Sequence, residues 1–401
     1  MKKNIFSFMS AAVLLLAVGL AGCSREDANE EEMRTILLRV KLAETRANAD
    51  EVTAGTTVAF KAPGKIFFVT TSGTIMKVMT LGATAYDAGT NANGVNLGDI
   101  TAGTVVAIQN VPASSSQVYV VGTLTGTGLL SAAEVGDKIS DVLSEAVLTA
   151  TAVYKDDGTV DNVPVLGFGT IVYASASNNY TAAVEVAPVV GRVELEKISA
   201  NKAEITSFTV DAIYVNMYYS QLGLNGTILG DGTENPFPNY LVDNEDIPDN
   251  YAQENAGRYF GKPEVFDVFT GSDGESDASD VVTFAPKDVM AYNLLAPVKT
   301  GYFPHLVIRI KNVDPVDDAL DNGYGGANVW YLTVTNVVTA GQAPVATNFL
   351  NFAPGEVYHI NDLYFGLGDL SPVPEPSDKL VNVTVTVKSW KVIGADPVLG
   401  N

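Results

Sequence analysis

The sequence predicts a mainly β protein built as two β-sandwich units, with one short helix in the first. Three observations carry that expectation. Thirty-six glycines and 18 prolines in 401 residues, with only 17% charged side chains, describe an ordered, turn-rich chain and not a disordered one. Runs with period-two alternation recur from Thr35 to Ile393, bounded by turn residues, whereas helical charge patterning is scarce. The length suits two units at roughly 100–200 residues each.

The first element is a leader. Lys2 and Lys3 precede a short apolar run from Phe6 to Val18, too short to span a bilayer. Leu20-Ala21-Gly22-Cys23 then matches a lipobox, whose small residues fit a signal peptidase and whose cysteine thiol takes the lipid. Residues 1–22 read as a signal peptide. Cys23 reads as the lipidation site, with palmitate among its acyl chains, so tethering is by acyl chains and not by a helix. Cys23 is the only cysteine; once acylated it leaves no thiol for a disulfide or a thiolate zinc site.

An acidic spacer, Ser24 to Glu32, leads into Thr35 to Leu42. There Ile36, Leu38, Val40 and Leu42 alternate with Leu37, Arg39 and Lys41, the pattern of a half-buried strand. Residues 44–50 are small and polar and contain one trypsin-type bond, Arg46–Ala47, between a complete strand and the body of the chain.

Strands are expected at Ile66–Thr70 and Thr74–Val78, flanking a Thr71-Ser72-Gly73 turn, and at Thr104–Asn110 and Gln117–Gly122. A helix is expected over Ser131–Leu143, because Ser131 and Glu134 fit a capping box and Val135, Ile139, Val142 and Leu143 share a face. Strands resume at Ala146–Tyr154, Val165–Tyr173 and Tyr180–Val186. Pro188 to Arg192 reads as the boundary between the units. Beyond it lie Val193–Ile198, Ile205–Met217, Val281–Phe284, Val289–Leu295, His305–Val313, Val329–Val337 and Glu356–Phe365. Leu380 to Ile393 closes the chain, with Val381, Val383, Val385 and Val387 alternating with polar residues ahead of Trp390. Pro372, Pro374 and Pro376 precede it as an extended spacer that cannot join a ladder.

Charge and chemistry narrow the function. The net charge is −22, which opposes nucleic acid and anionic membrane surfaces as partners. The glycine-rich segment Gly122 to Gly128 lacks the Lys-Ser/Thr of a phosphate loop and reads as a turn into the helix. Asp273, Glu275 and Asp277 alternate in a loop but lack EF-hand spacing, so a solvated acidic loop is the simpler reading. His305 and His359 are the only histidines; each reads as a satisfied strand histidine and not as a catalytic base. No residue set indicates an enzyme, a metal site or a cofactor.

Taken together the ordered features resemble the fimbrillin family, the type V pilins of Bacteroides- and Porphyromonas-like bacteria, in its major shaft form. The resemblance covers the lipobox, the Thr35–Leu42 strand, the Arg46 loop, the two β units and the terminal strand. Locally it rests on the run from Gln117 to Gly126, on Val190 to Leu195, and on Val381 to Gly394. It implies transthyretin-like β-sandwich domains at residues 47–188 and 189–401, a lipidated prosegment at residues 23–46, and a donor strand at residues 380–393. It further implies that the precursor is an outer-membrane lipoprotein and that a gingipain-like, Arg-specific protease cuts between Arg46 and Ala47. The strand carrying Ile36, Leu38, Val40 and Leu42 would then leave, and Val381, Val383, Val385, Val387 and Trp390 of another copy would fill the gap. The product is a head-to-tail extracellular fimbria, with tip and anchor pilins as further partners and host or bacterial surface ligands as targets. The alternative expectation is a monomeric surface lipoprotein that binds glycans or host ligands and is never cut.

Overall fold

In the computed structural model the description covers residues 31–42, 57–60, 63–82, 94–96, 103–124, 130, 132–149, 163–216, 221–227, 229, 266–269, 271–276, 282–284, 290–295, 305–317, 329–339, 353–372, 381–389 and 391–394. The chain begins with β1 (Met33–Leu42), β2 (Thr57–Phe60), β3 (Gly64–Val69), β4 (Ile75–Gly82), β5 (Gly94–Asn96), β6 (Val106–Pro112) and β7 (Gln117–Gly122). Helix α1 (Ile139–Glu145) follows, then β8 (Val147–Thr149), β9 (Val165–Ala174) and β10 (Asn179–Pro188). The second half contributes β11 (Gly191–Leu195), β12 (Ile198–Ala200), β13 (Ile205–Asn216), β14 (Gln221–Gly223), β15 (Phe266–Val268), β16 (Val282–Phe284) and β17 (Met290–Leu294). It ends with β18 (His305–Pro315), β19 (Val329–Thr339), β20 (Glu356–Ile360), β21 (Leu363–Phe365), β22 (Val381–Ser389) and β23 (Lys391–Gly394).

The fold is mainly β, with one α-helix among the described residues. Two eight-stranded sheets dominate it: β5-β4-β3-β7-β9-β10-β1-β6, and β15-β13-β18-β19-β22-β20-β11-β17. The first curls nearly shut. Lys77 on β4, the strand next to the β5 end, donates its Nζ to the carbonyls of Gln109 (2.6 Å) and Asn110 (3.2 Å) on the β6 edge, so the two sides of the sheet approach each other. Curling removes most of the exposed edge that an open sheet would offer to other chains.

The second sheet is extended by β16-β12-β21, where β12 and β21 continue the paths of β11 and β20. Phe365 of β21 meets Phe208 of β13 edge-on at 5.1 Å, and Phe269 meets Phe284 of β16 at 5.0 Å. These edge-to-face aromatic pairs are the favoured geometry, and they draw this sheet together as well. At the crossing of β7 and β2, a Cβ added to Gly122 would lie 2.1 Å from the ring of buried Phe60, so only glycine lets that ring seat.

The strands expected from periodicity appear, except that Glu356–Phe365 is split into β20 and β21 and that Ala146–Tyr154 is described only as β8, residues 150–154 lying outside the described residues; two further corrections follow. Helix α1 starts at Ile139, later than the capping-box reading places it. Gly136 has φ +103°, and Glu134 N–H donates to the Asp137 carboxylate at 2.8 Å. That turn spends the apparent capping residue, and Val135 stands 62% exposed instead of on a buried face. The run from Val193 to Ile198 is also broken: β11 ends at Leu195 and β12 starts at Ile198, because Glu196 N–H bonds to Ile360 at the step between β20 and β21.

Candidate functional site

The site is the slot that β1 fills. Ile36, Leu38 and Val40 are 0–1% exposed, with Leu42 half-buried at the end. β1 runs parallel to β10, with Ile36 beside Tyr180, Leu38 beside Ala182 and Val40 beside Val184. On its other edge it runs antiparallel to β6, with Ile36 beside Ile108 and Leu38 beside Val106. Two strands from much later in the chain therefore hold the first one between them. Full burial of three such side chains is worth roughly 5–9 kcal/mol gross, against about 1–2 kcal/mol per residue for fixing the backbone. The outward face carries half-buried Leu37 and exposed Arg39 and Lys41, with Lys41 beside Glu185.

A polar clamp fixes the start of the strand. The Arg34 guanidinium sits 4.2 Å over the Tyr180 ring, and its Nη2 donates to the Ser115 carbonyl. Ala113 N–H donates to the Glu32 carbonyl at 2.7 Å, and the Ser114 hydroxyl donates to the Glu31 carboxylate. Tyr180 is backed by Tyr173 at 5.1 Å. Two polar atoms here are buried without a hydrogen-bond partner, Arg34 Nε and Ser115 Oγ.

The C-terminal strand is engaged on both edges within its own chain. β22 runs parallel to β19, from Val334 beside Val381 to Thr339 beside Val385, and antiparallel to β20, from Glu356 beside Ser389 to His359 beside Thr386. Val381, Val383, Val385 and Val387 all belong to it, so the terminal strand is an interior strand of the second sheet. β23 then pairs in parallel with β2, Thr57 beside Lys391 through Phe60 beside Gly394. Thus the tail touches the neighbourhoods of both sheets. Trp390 lies outside the described residues, as do Cys23, Arg46 and Ala47.

A buried polar network stands two strands from β22. Arg192 and Glu194 alternate with core residues Val193 and Leu195, yet each is only 2% exposed. Arg192 Nε donates to Glu194 at 2.8 Å and its Nη1 to Asn293 at 3.1 Å. His359 Nδ1 lies 3.0 Å from Glu194, and its Nε2 lies 3.4 Å from Glu196. Burial opposes ionisation of Glu194, but the His359 hydrogen bond and the adjacent Arg192 charge overcome it and hold the carboxyl below its ordinary range. His359 is thus a partnered strand histidine. The alternating Arg192-Glu194-Glu196 pattern looks like a solvated face, which is why sequence reasoning missed the network.

Other sequence candidates do not converge. Asp273 and Glu275 are exposed around a 3₁₀ turn and Asp277 lies outside the described residues. Among the described residues no three His, Cys, Asp or Glu side chains group as a metal site, and no helix is long and apolar enough to cross a membrane. His305 opens β18. Gly126 and Gly128 are outside the described residues.

No protein-family model matches the chain, and no curated protein sequence matches it. Among solved structures, it is similar to a candidate cell adhesion protein from Bacteroides eggerthii (TM-score 0.54, 15% identity, covering 91% of this chain and 98% of that one). It is also similar to a candidate cell adhesion protein from Parabacteroides distasonis (TM-score 0.50, 13% identity, covering 92% and 98%). A looser overlay, TM-score 0.35 at 8% identity over 90% and 100% of the chains, is with the fimbrial anchor protein Mfa2 from Porphyromonas gingivalis; it carries no argument. At these identities the likeness establishes a shared fold.

Proposed function

We propose that this chain is a structural subunit of a cell-surface fimbria, polymerising by strand replacement. Its precursor is lipidated at Cys23 and held at the outer membrane. An Arg-specific protease cuts between Arg46 and Ala47, β1 departs, and the Val381–Val387 strand of another copy takes its place. The two sheets act as two domains, residues 47–188 as acceptor and residues 189–401 as donor, with tip and anchor pilins completing the fibre. The fold shared with proteins described as cell adhesion proteins is consistent with a surface role.

One observation carries this reading. β1 is the first strand among the described residues, yet it lies inside the sheet between β10 and β6, and its apolar stripe Ile36, Leu38, Val40, Leu42 has the same length and spacing as Val381, Val383, Val385, Val387. Removing it leaves two unpaired strand edges and an apolar floor, the conditions for strand addition. The donor must first leave its own sheet. Since β22 is parallel to β19 and antiparallel to β20, those two are antiparallel to each other and can close the gap directly. Repeated head-to-tail, the contact does not close into a ring.

A second reading has its own support: β22 stays where it is, and the protein is an uncut surface lipoprotein that binds glycans. The double pairing of β22 favours it, as does an exposed aromatic on β9, Phe168 (65% exposed), stacked 5.7 Å from Tyr119. The N-terminus of surface-released protein separates the two. A mass starting at Ala47, lost in Arg46→Ala along with the fibres, is expected. Fibres of normal length from Arg46→Ala, or released protein retaining acylated Cys23, reject the fimbrial reading.

A further inference from the structure

We infer that the emptied β1 slot is a register-specific receptor for a second copy of this chain, in which the Tyr180–Ser115 clamp receives Lys379 of the incoming tail. The inference rests on the strand replacement proposed above and fixes which residue goes where.

The clamp is built for a cation two residues ahead of an apolar stripe. In β1 that cation is Arg34, over Tyr180 and on the Ser115 carbonyl, and the stripe starts at Ile36. In the tail, Lys379 stands two residues ahead of Val381, the first of four alternating valines. Laying the tail along β1 in the same direction puts Lys379 at Arg34, Val381 at Ile36, Val383 at Leu38, Val385 at Val40 and Val387 at Leu42. The polar residues Asn382, Thr384 and Thr386 then take the outward places of Leu37, Arg39 and Lys41. An ammonium has three donors, so it can serve both the Ser115 carbonyl and the Ser115 Oγ that Arg34 leaves without a partner.

Neighbouring registers are each penalised. A shift of one residue turns Asn382, Thr384 and Thr386 into the core. Sliding the tail two residues one way puts Lys379 at the Ile36 position, which is 0% exposed, where an unpaired ammonium is strongly disfavoured. The opposite slide puts Val381 against the Ser115 carbonyl, withdraws its donor, and leaves Ser389 at the place of Leu42. Its one gain is Lys388 beside Glu185 on the exposed face, and exposed ion pairs contribute little. Basic residue plus four-residue stripe therefore act together as a ruler.

The test uses mature chains beginning at Ala47. Cleavage removes Cys23, the sole cysteine, so engineered thiols are unambiguous. Leu37 lies beside Thr181 in the parallel pair, so Thr181→Cys combined with Asn382→Cys is expected to give a disulfide-linked ladder on non-reducing gels, since neighbouring strands fall within disulfide reach. Thr181→Cys with Thr384→Cys, or with Thr386→Cys, is expected to give none. A ladder from either of those pairs overturns the register while leaving strand replacement standing. Thr181→Cys is also combined with Leu380→Cys, Val381→Cys or Val383→Cys, which cover the remaining neighbouring registers; a ladder from any of these overturns the register alone, and polymers that form no ladder with any pair overturn both. Alongside, Lys379→Ala is expected to speed fibre dissociation in urea about tenfold, with Lys379→Arg restoring it; equal rates for Ala and the parent overturn the role of the clamp.

Discussion

Leu38 is the residue whose truncation most directly measures how tightly the slot holds its strand. It is 1% exposed and lies midway along β1, flanked in register by Ala182 of β10 and Val106 of β6. Leu38→Ala removes apolar contact and leaves a cavity between two strands that the rest of the curled sheet keeps in place, which costs about 3 kcal/mol within the usual range of 2–5. If a cut is made in residues 43–50 through an inserted protease site, β1 is held by non-covalent contacts alone. A loss of about 3 kcal/mol then corresponds to release on the order of a hundredfold faster, at 1.4 kcal/mol per factor of ten. The assay cuts labelled precursor, separates bound from released peptide by size exclusion at successive times, and compares Leu38→Ala with Leu37→Ala, whose side chain is on the outward face. Release from Leu38→Ala within threefold of the parent would show that burial in this slot is not what retains the strand.

Three further outcomes are expected. A disulfide between Glu356→Cys and Ser389→Cys, neighbours across β20 and β22, is expected to lock the tail in its own sheet and give folded monomers that polymerise only after reduction; polymerisation of the oxidised form rejects β22 as donor. Arg192→Ala leaves Glu194 and Asn293 buried without the guanidinium and is expected to cost about 3–5 kcal/mol, read as a lower urea midpoint. Because Glu194's carboxyl is held below its ordinary value of 4.5, it adds stability above that pH, and the contribution is lost as pH falls through its lower folded value. Glu194→Gln, less stable at pH 7, is expected to show a shallower decline below pH 4.5 than the parent; parallel declines reject that linkage.

Much of this architecture could be read from local pattern, because alternation reports burial on one face. Ile36, Leu38 and Val40 announce a one-sided strand, and they are buried as that pattern requires. Pairing partners could not be read. That β1 lies between β10 and β6, or that β23 joins β2, depends on contacts between segments more than 60 residues apart, for which no local signal exists. Arg192 and Glu194 misled in the opposite direction: their polarity suggests water, but β11 is buried on both faces and each charge is satisfied by the other, by Asn293 and by His359. The late start of α1 has a local cause, since Gly136 at positive φ turns the chain where the capping pattern suggested a helix already under way.

The position of β1 has a mechanical consequence. A strand hydrogen-bonded along both edges, and pulled along its own axis, is loaded in shear: its ladder bonds share the force and fail together, not one after another as in peeling. In the proposed fibre, a replacement strand in the same slot, joined to its parent subunit through the proline-rich stretch from Pro372 to Pro376, would be drawn in that direction under tension. Tensile strength would then depend on how many paired residues overlap, and shortening the tail by a few would weaken the thread out of proportion to the area removed.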